Sequence, residues 1–218
     1  MTELPRAELL EITLRTLGVS GAALALALLS GLPLGIALGR RQFPGREAIV
    51  AIVNSGMGAP PVVVGLLAAL LLWRSGPLGA LGWMYTPTAM VAAQVVIALP
   101  LVVGITLAAV GGLAEDWELQ VRALGIPAHW RLWLLLREIR LGLLAAVIAA
   151  LGGILSEVGA VMMVGGNIAG ETRVLTTAIL MYTQMGAFEA ALGLAAVLLG
   201  LMVVLAAALT AVQQSGRR

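Results

Sequence analysis

Long apolar runs separated by short polar segments dominate the pattern of this chain. A helix needs about 20 apolar residues to cross a bilayer, so each run is long enough for one span. The pattern therefore predicts an all-α fold, a polytopic bundle of about five transmembrane helices. The predicted spans are approximately Leu17 to Leu38, Ala48 to Trp73, Thr88 to Leu113, Ile139 to Val164 and Phe188 to Val212.

Residues 1–16 have a different pattern, in which charged and apolar positions alternate. A cleavable signal needs a basic start followed by a compact apolar core, and this segment has neither. It predicts instead a short amphipathic helix lying at the membrane surface.

Composition supports a membrane protein. The 218 residues are 61% hydrophobic and 11% charged, with a mean hydropathy of +1.04. Soluble domains contain about 45–50% apolar and about 25% charged residues. We therefore expect a single transmembrane domain over residues 1–218. Cysteine is absent and His129 is the single histidine, so we expect no metal site.

The basic residues set the predicted orientation. All 13 are arginines dispersed between the apolar runs, which is typical of loop anchoring rather than of nucleic-acid binding. One side of the bundle holds Arg40, Arg41, Arg46, Arg122, Arg131, Arg137, Arg140, Arg217 and Arg218, and the other holds Arg6, Arg15, Arg74 and Arg173. Because cytoplasmic loops are rich in arginine, we expect the plasma (inner) membrane, with the N-terminus outside and the C-terminus in the cytoplasm.

Proline and polar residues interrupt several predicted spans. Proline kinks a helix, and a break at membrane depth is tolerated where protein or a water-filled cavity covers it. These residues either shape the packing only or line a functional cavity. The candidates for a functional role are Asn54, Pro60, Pro61 and Gln94.

Gly31, Gly35 and Gly39 recur at every fourth position of the first span. Small residues at this spacing form a ridge that allows close contact with another helix. The ridge predicts helix packing and no chemistry.

Glu157 places a carboxylate inside the fourth predicted span. A charge at a helix centre costs about 2.5–3.5 kcal/mol on insertion scales, so such a residue is a functional-site hypothesis. A glycine-rich and hydroxyl-rich loop follows, and extends to Thr177. The loop is either part of a site or a capped connection between spans.

The segment 115–133 has the pattern of a helix, a turn and a second helix. Asp116 is expected to cap the first helix, Gly125 to follow its C-terminus and Pro127 to start the second. Trp117, Trp130 and Trp133 suit either the lipid headgroup level or a partner's groove. The residues leave both interpretations open.

This segment resembles the coupling segment of ABC-transporter permeases of the binding-protein-dependent importer class. The family pattern is Glu-Ala-Ala, three residues, Gly, then Ile-x-Leu-Pro after nine more. Gly125 matches the glycine, Glu118 stands one position early, and Glu138 replaces the final proline. Other motifs are similar to the tungstate-type permease family: Gly56–Leu66, Ser75–Gly79, Tyr85–Met90, Gln94, Glu157–Ala160, Gly165–Ile168 and Thr172–Ile179.

The resemblance implies a homodimeric permease that works by alternating access. Its two copies would dock on cytoplasmic ATPase subunits and receive a tetrahedral oxyanion from an extracytoplasmic binding protein. The chain has no lysine and no G-x-x-x-x-G-K-[ST] run, so ATP and Mg²⁺ would be bound by the partner, with no cofactor in this chain. The implied coupling residues are Glu118, Leu119, Arg122, Ala123, Leu124, Gly125, Ile126 and Pro127.

An oxyanion in transit needs hydrogen-bond donors that bind it weakly enough for release. The candidate donors are the Thr172, Thr176, Thr177 and Asn167 side chains and the backbone N–H groups of Gly165 and Gly166. Arg173 is expected to attract the anion on the outer side. Glu157 is expected to pair with an arginine or to hydrogen-bond broken backbone, either holding an outer gate or acting only structurally.

Two other functions remain open from the sequence. The first is a permease that carries molybdate, sulfate, phosphate or an amino acid instead of tungstate. A standalone carrier would be expected to show an internal repeat and several intramembrane ionisable groups, and an intramembrane enzyme a cluster of catalytic groups. The sequence shows none of these signals.

Overall fold

The computed structural model describes residues 5–114 and 116–215, and over these ranges the chain is all-α without a strand. The predicted fold class is confirmed. The helices are α1 (Arg6–Arg40), α2 (Arg46–Met57), α3 (Pro61–Leu72), α4 (Pro87–Gly111), α5 (Trp117–Ala123), α6 (Ala128–Glu138), α7 (Arg140–Ser156), α8 (Gly159–Gly165), α9 (Leu175–Gln184) and α10 (Phe188–Ser215), with a 3₁₀ turn at Gly79–Leu81.

Helices α1, α4 and α10 are each long and apolar enough to span a membrane. Two bent pairs, α2 with α3 and α6 with α7, bring the number of spans to five if each pair crosses once. Prolines do not interrupt the long helices, since α1 continues through Pro33 and α4 through Pro100.

Helix α4 is central to the bundle and packs on α1, α2, α7 and α8. Its buried Ala98 and Val102 meet Ala27 of α1 and Ala150 and Ile154 of α7 in one apolar cluster. Lipid tails are as apolar as these side chains, so close van der Waals packing rather than the hydrophobic effect holds such helices together.

The predicted glycine ridge packs closely on another helix, as the sequence indicated, and that helix is α4. Cβ atoms built on Gly31, Gly35 and Gly39 would each lie 2.6–2.7 Å from a side-chain atom of α4. At Gly35 the added atom would meet Thr106 Cβ at 2.7 Å and the carbonyl oxygen of Val103 at 2.9 Å. The two helices are therefore closer than any side chain on this ridge would allow.

Gly35→Ala should destabilise the protein, because the new methyl group has no space. Overpacking typically costs about 1–3 kcal/mol. The matched control is Gly21→Ala in the same helix, where a Cβ meets nothing within 4 Å. That change should stabilise by up to about 1 kcal/mol, because alanine favours helix. Thermal unfolding in detergent measures both, and shifts of the same sign would contradict the close packing.

The second predicted span is two helices. α2 and α3 meet at an angle of 106°, and Pro61 occupies the first position of α3, where its missing N–H is not needed. The predicted second span therefore corresponds to a bent pair of helices, in agreement with the interruption expected from its prolines. Pro60 and Pro61 cannot continue α2, so the chain turns sharply at the polar and glycine-rich cluster.

The N-terminal prediction needs correction. α1 begins at Arg6 and continues to Arg40 without a break, so residues 6–16 extend the first span instead of forming a separate surface helix. Its 35 residues give a length of about 52 Å at 1.5 Å per residue, well beyond the roughly 30 Å of hydrocarbon. Residues 1–4 of the predicted amphipathic segment lie outside the described ranges.

The fourth predicted span, 139–164, is interrupted as well. α7 ends at Ser156, Glu157 lies in the break, and α8 begins at Gly159. Helix α9, Leu175–Gln184, was not predicted, because its threonines suggested a loop. The last helix begins at Phe188 as expected.

Candidate functional site

Glu157 connects the two halves of the broken fourth span. Its side chain is 6% exposed, and Oε1 accepts a hydrogen bond from the backbone N–H of Ala160 at 2.7 Å. Its own carbonyl oxygen accepts one from Thr176 Oγ1 at 3.0 Å. Within the described residues it pairs with no arginine. The sequence predicted either an arginine or the backbone at a helix break as the partner of Glu157, and the structure shows the backbone.

The broken second span packs directly against this break. Gly65 of α3 lies against Ala160 of α8, so closely that a Cβ on Gly65 would collide with the Ala160 backbone. Gly159 faces Val62 in the same contact, where an added Cβ would be 2.7 Å from Val62 Cγ2. The two interruptions therefore lie side by side, although about 100 residues separate them in the sequence.

A cavity of about 1070 Å³ adjoins both interruptions. Pro60, Pro61, Ser156 and Glu157 line one part of it, and Arg41, just after the C-terminal end of α1, lines another. Most of the remaining lining is aliphatic. Irregular backbone at membrane depth is tolerated where it borders a cavity of this kind.

Two of the predicted pore residues lie elsewhere. Asn54 is exposed on α2 and does not line the cavity. Gln94 is buried in α4, where its Nε2 donates to the Ile154 carbonyl at 3.4 Å. Its Oε1 is buried without a partner among the described residues.

The loop after α8 uses its threonine hydroxyls internally. Thr172 Oγ1 donates to the Gly165 carbonyl at 2.6 Å, and Thr176 Oγ1 donates to the backbone carbonyl of Glu157. Thr177 Oγ1 donates to the Val174 carbonyl and accepts from its N–H, both at 3.1 Å. All three side chains are buried. In this conformation none offers its proton to an anion, and their role as anion donors stays a prediction.

The glycine turn preceding those threonines packs against Tyr85, a residue that the sequence analysis left without a role. The Tyr85 N–H donates to the Val164 carbonyl at 2.8 Å, and the ring lies against Gly166. The N–H of Gly166 is used within α8, where it donates to Met162. Asn167 has a left-handed backbone (φ 53°), and its Oδ1 is buried without a partner in the part of the chain described.

Arg173 is tied to the N-terminal end of α1. Its Nη1 lies 3.2 Å from Glu8 Oε1, and its side chain is only 15% exposed. Arg15 of α1 adds hydrogen bonds to the carbonyls of Arg173 at 3.2 Å and Gly170 at 2.7 Å. Sequence reasoning missed Glu8 and Arg15, since only the alternating charges of the N-terminal segment hinted at them. These contacts give Arg173 a structural role, and its expected attraction of the anion stays a prediction.

Glu8→Ala and Arg173→Ala should therefore show coupling in a double-mutant cycle. Partly exposed pairs contribute about 0.2–1 kcal/mol, and we expect the upper end because the arginine is largely buried. Thermal unfolding of the wild type, both single variants and the double variant gives the interaction free energy. Strictly additive effects would show that the contact contributes nothing to stability.

The segment between α4 and α7 has the predicted helix–turn–helix form. Gly125 adopts φ 67°, a left-handed conformation that suits glycine after a helix, and Pro127 immediately precedes α6. Asp116 lies at the N-cap position of α5 but hydrogen-bonds the Gln120 side chain instead of a backbone N–H. Leu119 and Leu124 are 69% and 75% exposed. This leaves an apolar surface on the segment without cover.

Glu118 connects this segment to the first span. Its Oε1 lies 2.5 Å from Arg122 Nη2 and 2.9 Å from Arg40 Nη2. The hydrogen bond from Arg122 lowers the pKa of the Glu118 carboxyl, Arg40 lowers it further, and partial burial opposes both. The carboxylate therefore stays ionised at neutral pH and ties α5 to the end of α1. Arg40 was not among the predicted coupling residues.

A bundle of spans interrupted beside a cavity, with an uncovered helical segment between two spans, defines a polytopic membrane protein of the transport class. Residues 31–217 match the family of binding-protein-dependent transport system inner membrane components, and the chain belongs to it. It is a membrane-spanning permease subunit of an ABC importer.

Relatives support this assignment over most of the chain. A probable anion ABC transporter permease protein of Haloferax volcanii is 42% identical over 199 residues, 89% of this chain and 86% of the relative. A tungstate uptake system permease protein of Peptoclostridium acidaminophilum is 40% identical over 83% of this chain and 79% of its own. The protein of the same description from Campylobacter jejuni is 35% identical over 72% and 66%.

Proposed function

We propose that this chain forms one half of a homodimeric pathway that imports a tetrahedral oxyanion, with tungstate as the first candidate. The observation that carries the proposal is the cavity bordered by two interrupted spans. A second copy facing this cavity would enclose a pathway between the two subunits. The descriptions of the relatives as anion and tungstate permeases support the class of cargo.

The lining of the cavity suits passage better than tight binding. Most of its wall is aliphatic, and Arg41 is its principal cationic side chain. An anion must bind weakly enough to leave again, so a wall without a cluster of fixed positive charges favours release. Selection among oxyanions is then assigned to the extracytoplasmic binding protein. Molybdate, sulfate, phosphate and an amino acid are the alternatives that the experiment below includes.

The driving force is assigned to a partner. The chain has no phosphate-binding G-x-x-x-x-G-K-[ST] run, so ATP and Mg²⁺ are proposed to bind a cytoplasmic ATPase subunit. The segment 115–133 is proposed as its docking site, because Leu119 and Leu124 are exposed there. Closure of the ATPase subunits would move this segment and switch the side to which the pathway opens.

Uptake into vesicles tests the proposal. The permease is reconstituted with its ATPase and binding protein, and ATP-dependent accumulation of tungstate, molybdate, sulfate, phosphate and an amino acid is compared. We expect tungstate or molybdate to accumulate only with ATP and all three components. If only sulfate, phosphate or the amino acid accumulated, that substrate would take the place of tungstate as the proposed cargo. Uptake without the ATPase would indicate a standalone carrier.

The orientation has its own test. Reporters active only in the cytoplasm are fused near Gln42 and Ser75. The arginine asymmetry predicts activity from the first fusion and none from the second. The reverse result would place the segment 115–133 outside and exclude it as the ATPase contact.

A further inference from the structure

A second groove lies between α1 and α6, and it shares only Ala37 and Arg41 with the lining of the cavity described above. Its volume is about 780 Å³, and its walls include Leu28, Leu32 and Ile36 of α1 and Leu132 and Leu136 of α6. The segment 115–133 contributes Glu118, Arg122 and Leu132 to this groove, whereas Leu119 and Leu124, the exposed residues proposed for the ATPase contact, lie outside its lining.

Positive charge is concentrated in the lining of this groove. Arg40, Arg41 and Arg122 line it together with a single carboxylate, Glu118. Arg40 and Arg122 share Glu118, whereas Arg41 is exposed and forms no ion pair among the residues described. Three cations against one anion leave an excess of positive charge, with Arg41 available to an external anion.

The dimensions match one leaflet of a bilayer. From Leu28 to Arg40 the α1 helix rises about 18 Å, close to half of the roughly 30 Å hydrocarbon thickness. Trp130 and Trp133 of α6 are 52% and 48% exposed, as is typical of side chains at the headgroup level. The groove therefore has an apolar part long enough for an acyl chain of a lipid, and cationic side chains at the level of the lipid headgroup.

We propose that this groove binds an anionic phospholipid, with an acyl chain between α1 and α6 and its phosphate at Arg41 and Arg122. The cytoplasmic leaflet is the one assigned, which rests on the proposed orientation. Basic pockets between membrane helices on the cytoplasmic side are suited to anionic headgroups. The bound lipid would contact both α1 and the proposed coupling segment, and so stabilise the position of that segment.

Lipid titration of the purified complex of permease and ATPase tests this site. Phosphatidylglycerol and chain-matched phosphatidylcholine are added in detergent, and bound lipid is counted by native mass spectrometry. Phosphatidylglycerol should bind more tightly than phosphatidylcholine. Arg41→Gln should weaken its binding about fivefold, which corresponds to the ~1 kcal/mol that one arginine contributes near anionic lipid. Arg74→Gln, at an exposed arginine outside the groove, is the matched control and should change nothing.

A second pair of variants tests the apolar part. Leu132 is 47% exposed, so Leu132→Trp should partly fill the groove without disturbing the core, and should weaken binding of both lipids. Leu199→Trp, at a 63% exposed position of α10, is its control. Glycerol phosphate, a headgroup without chains, should not displace the lipid.

Equal binding of the two lipids would overturn the proposal, and so would unchanged phosphatidylglycerol binding in Arg41→Gln or displacement by glycerol phosphate alone. A crosslink from position 132 to the ATPase subunit in the lipid-loaded complex would also overturn it, since a protein would then cover the groove. The titration does not depend on orientation or transport, so its failure is distinguishable from failure of the proposed function.

Discussion

Ala123→Glu should abolish ATP-driven uptake while leaving the permease folded. Ala123 is exposed at the end of α5, beside the 75% exposed Leu124, so the new carboxylate is solvated in the free subunit. In the proposed complex it would be buried without a partner, and an uncompensated buried charge costs about 3–5 kcal/mol. That weakens docking by at least about a hundredfold, since each 1.4 kcal/mol is a factor of ten.

The measurements are co-purification of the ATPase subunit, ATP hydrolysis and uptake, with thermal unfolding to confirm the fold. Ala123→Ser is the matched control, because it adds a small polar group at the same position without charge. Its uptake should remain near that of the wild type. If the Ala123→Glu complex assembles and transports normally, the ATPase docks elsewhere.

Glu157→Ala should be the most damaging single change in the membrane-embedded part. It removes the acceptor of the buried Ala160 N–H and leaves that donor unpaired. An unsatisfied buried group costs about 1–3 kcal/mol, and the loss is expected at the upper end because the acceptor is a carboxylate. The start of α8 would loosen where it packs on α3, so both stability and uptake should fall.

Glu157→Gln separates the hydrogen bond from the charge. The amide retains an acceptor of the same shape, so it should recover most of the stability. Glu189→Ala removes an exposed carboxylate in the first turn of α10. Its free energy of unfolding should stay within a few tenths of a kcal/mol of the wild type, because the interaction of an exposed carboxylate with the helix dipole is small. Expression yield, thermal unfolding and uptake distinguish these cases. Wild-type stability in Glu157→Ala would show that the Ala160 contact contributes nothing.

Local rules predicted the features that depend on neighbours along the chain. The ridge of Gly31, Gly35 and Gly39 follows from helical periodicity, because residues four apart share one face. Gly125 is predicted by its position after a helix. Both features are present in the structure. The same periodicity could not predict the partner of the ridge, because any apolar span would accept it.

The candidate site was harder to predict, since its geometry joins distant segments. Asn54 and Gln94 were predicted as pore residues because they are polar residues in apolar runs. In the structure Asn54 lies on an exposed face and Gln94 in the core. Arg173 suggested an anion entrance, but Glu8 of α1 is its observed partner. Glu8 and Arg173 lie far apart in the sequence, and nothing in the pattern between them indicates that these two charges meet.

The sequence by itself determined the membrane setting, the all-α class, the approximate positions of the spans and the helix–turn–helix segment, because hydrophobic length and turn chemistry are local properties. Only the tertiary structure decided that the second and fourth spans are interrupted side by side, with Gly65 against Ala160 and a cavity adjoining both. A break in a helix leaves polar backbone that must be satisfied at membrane depth. Whether a proline cluster or a buried carboxylate makes such a break depends on what covers it, and α3, α8 and α9 supply that cover from separate parts of the chain.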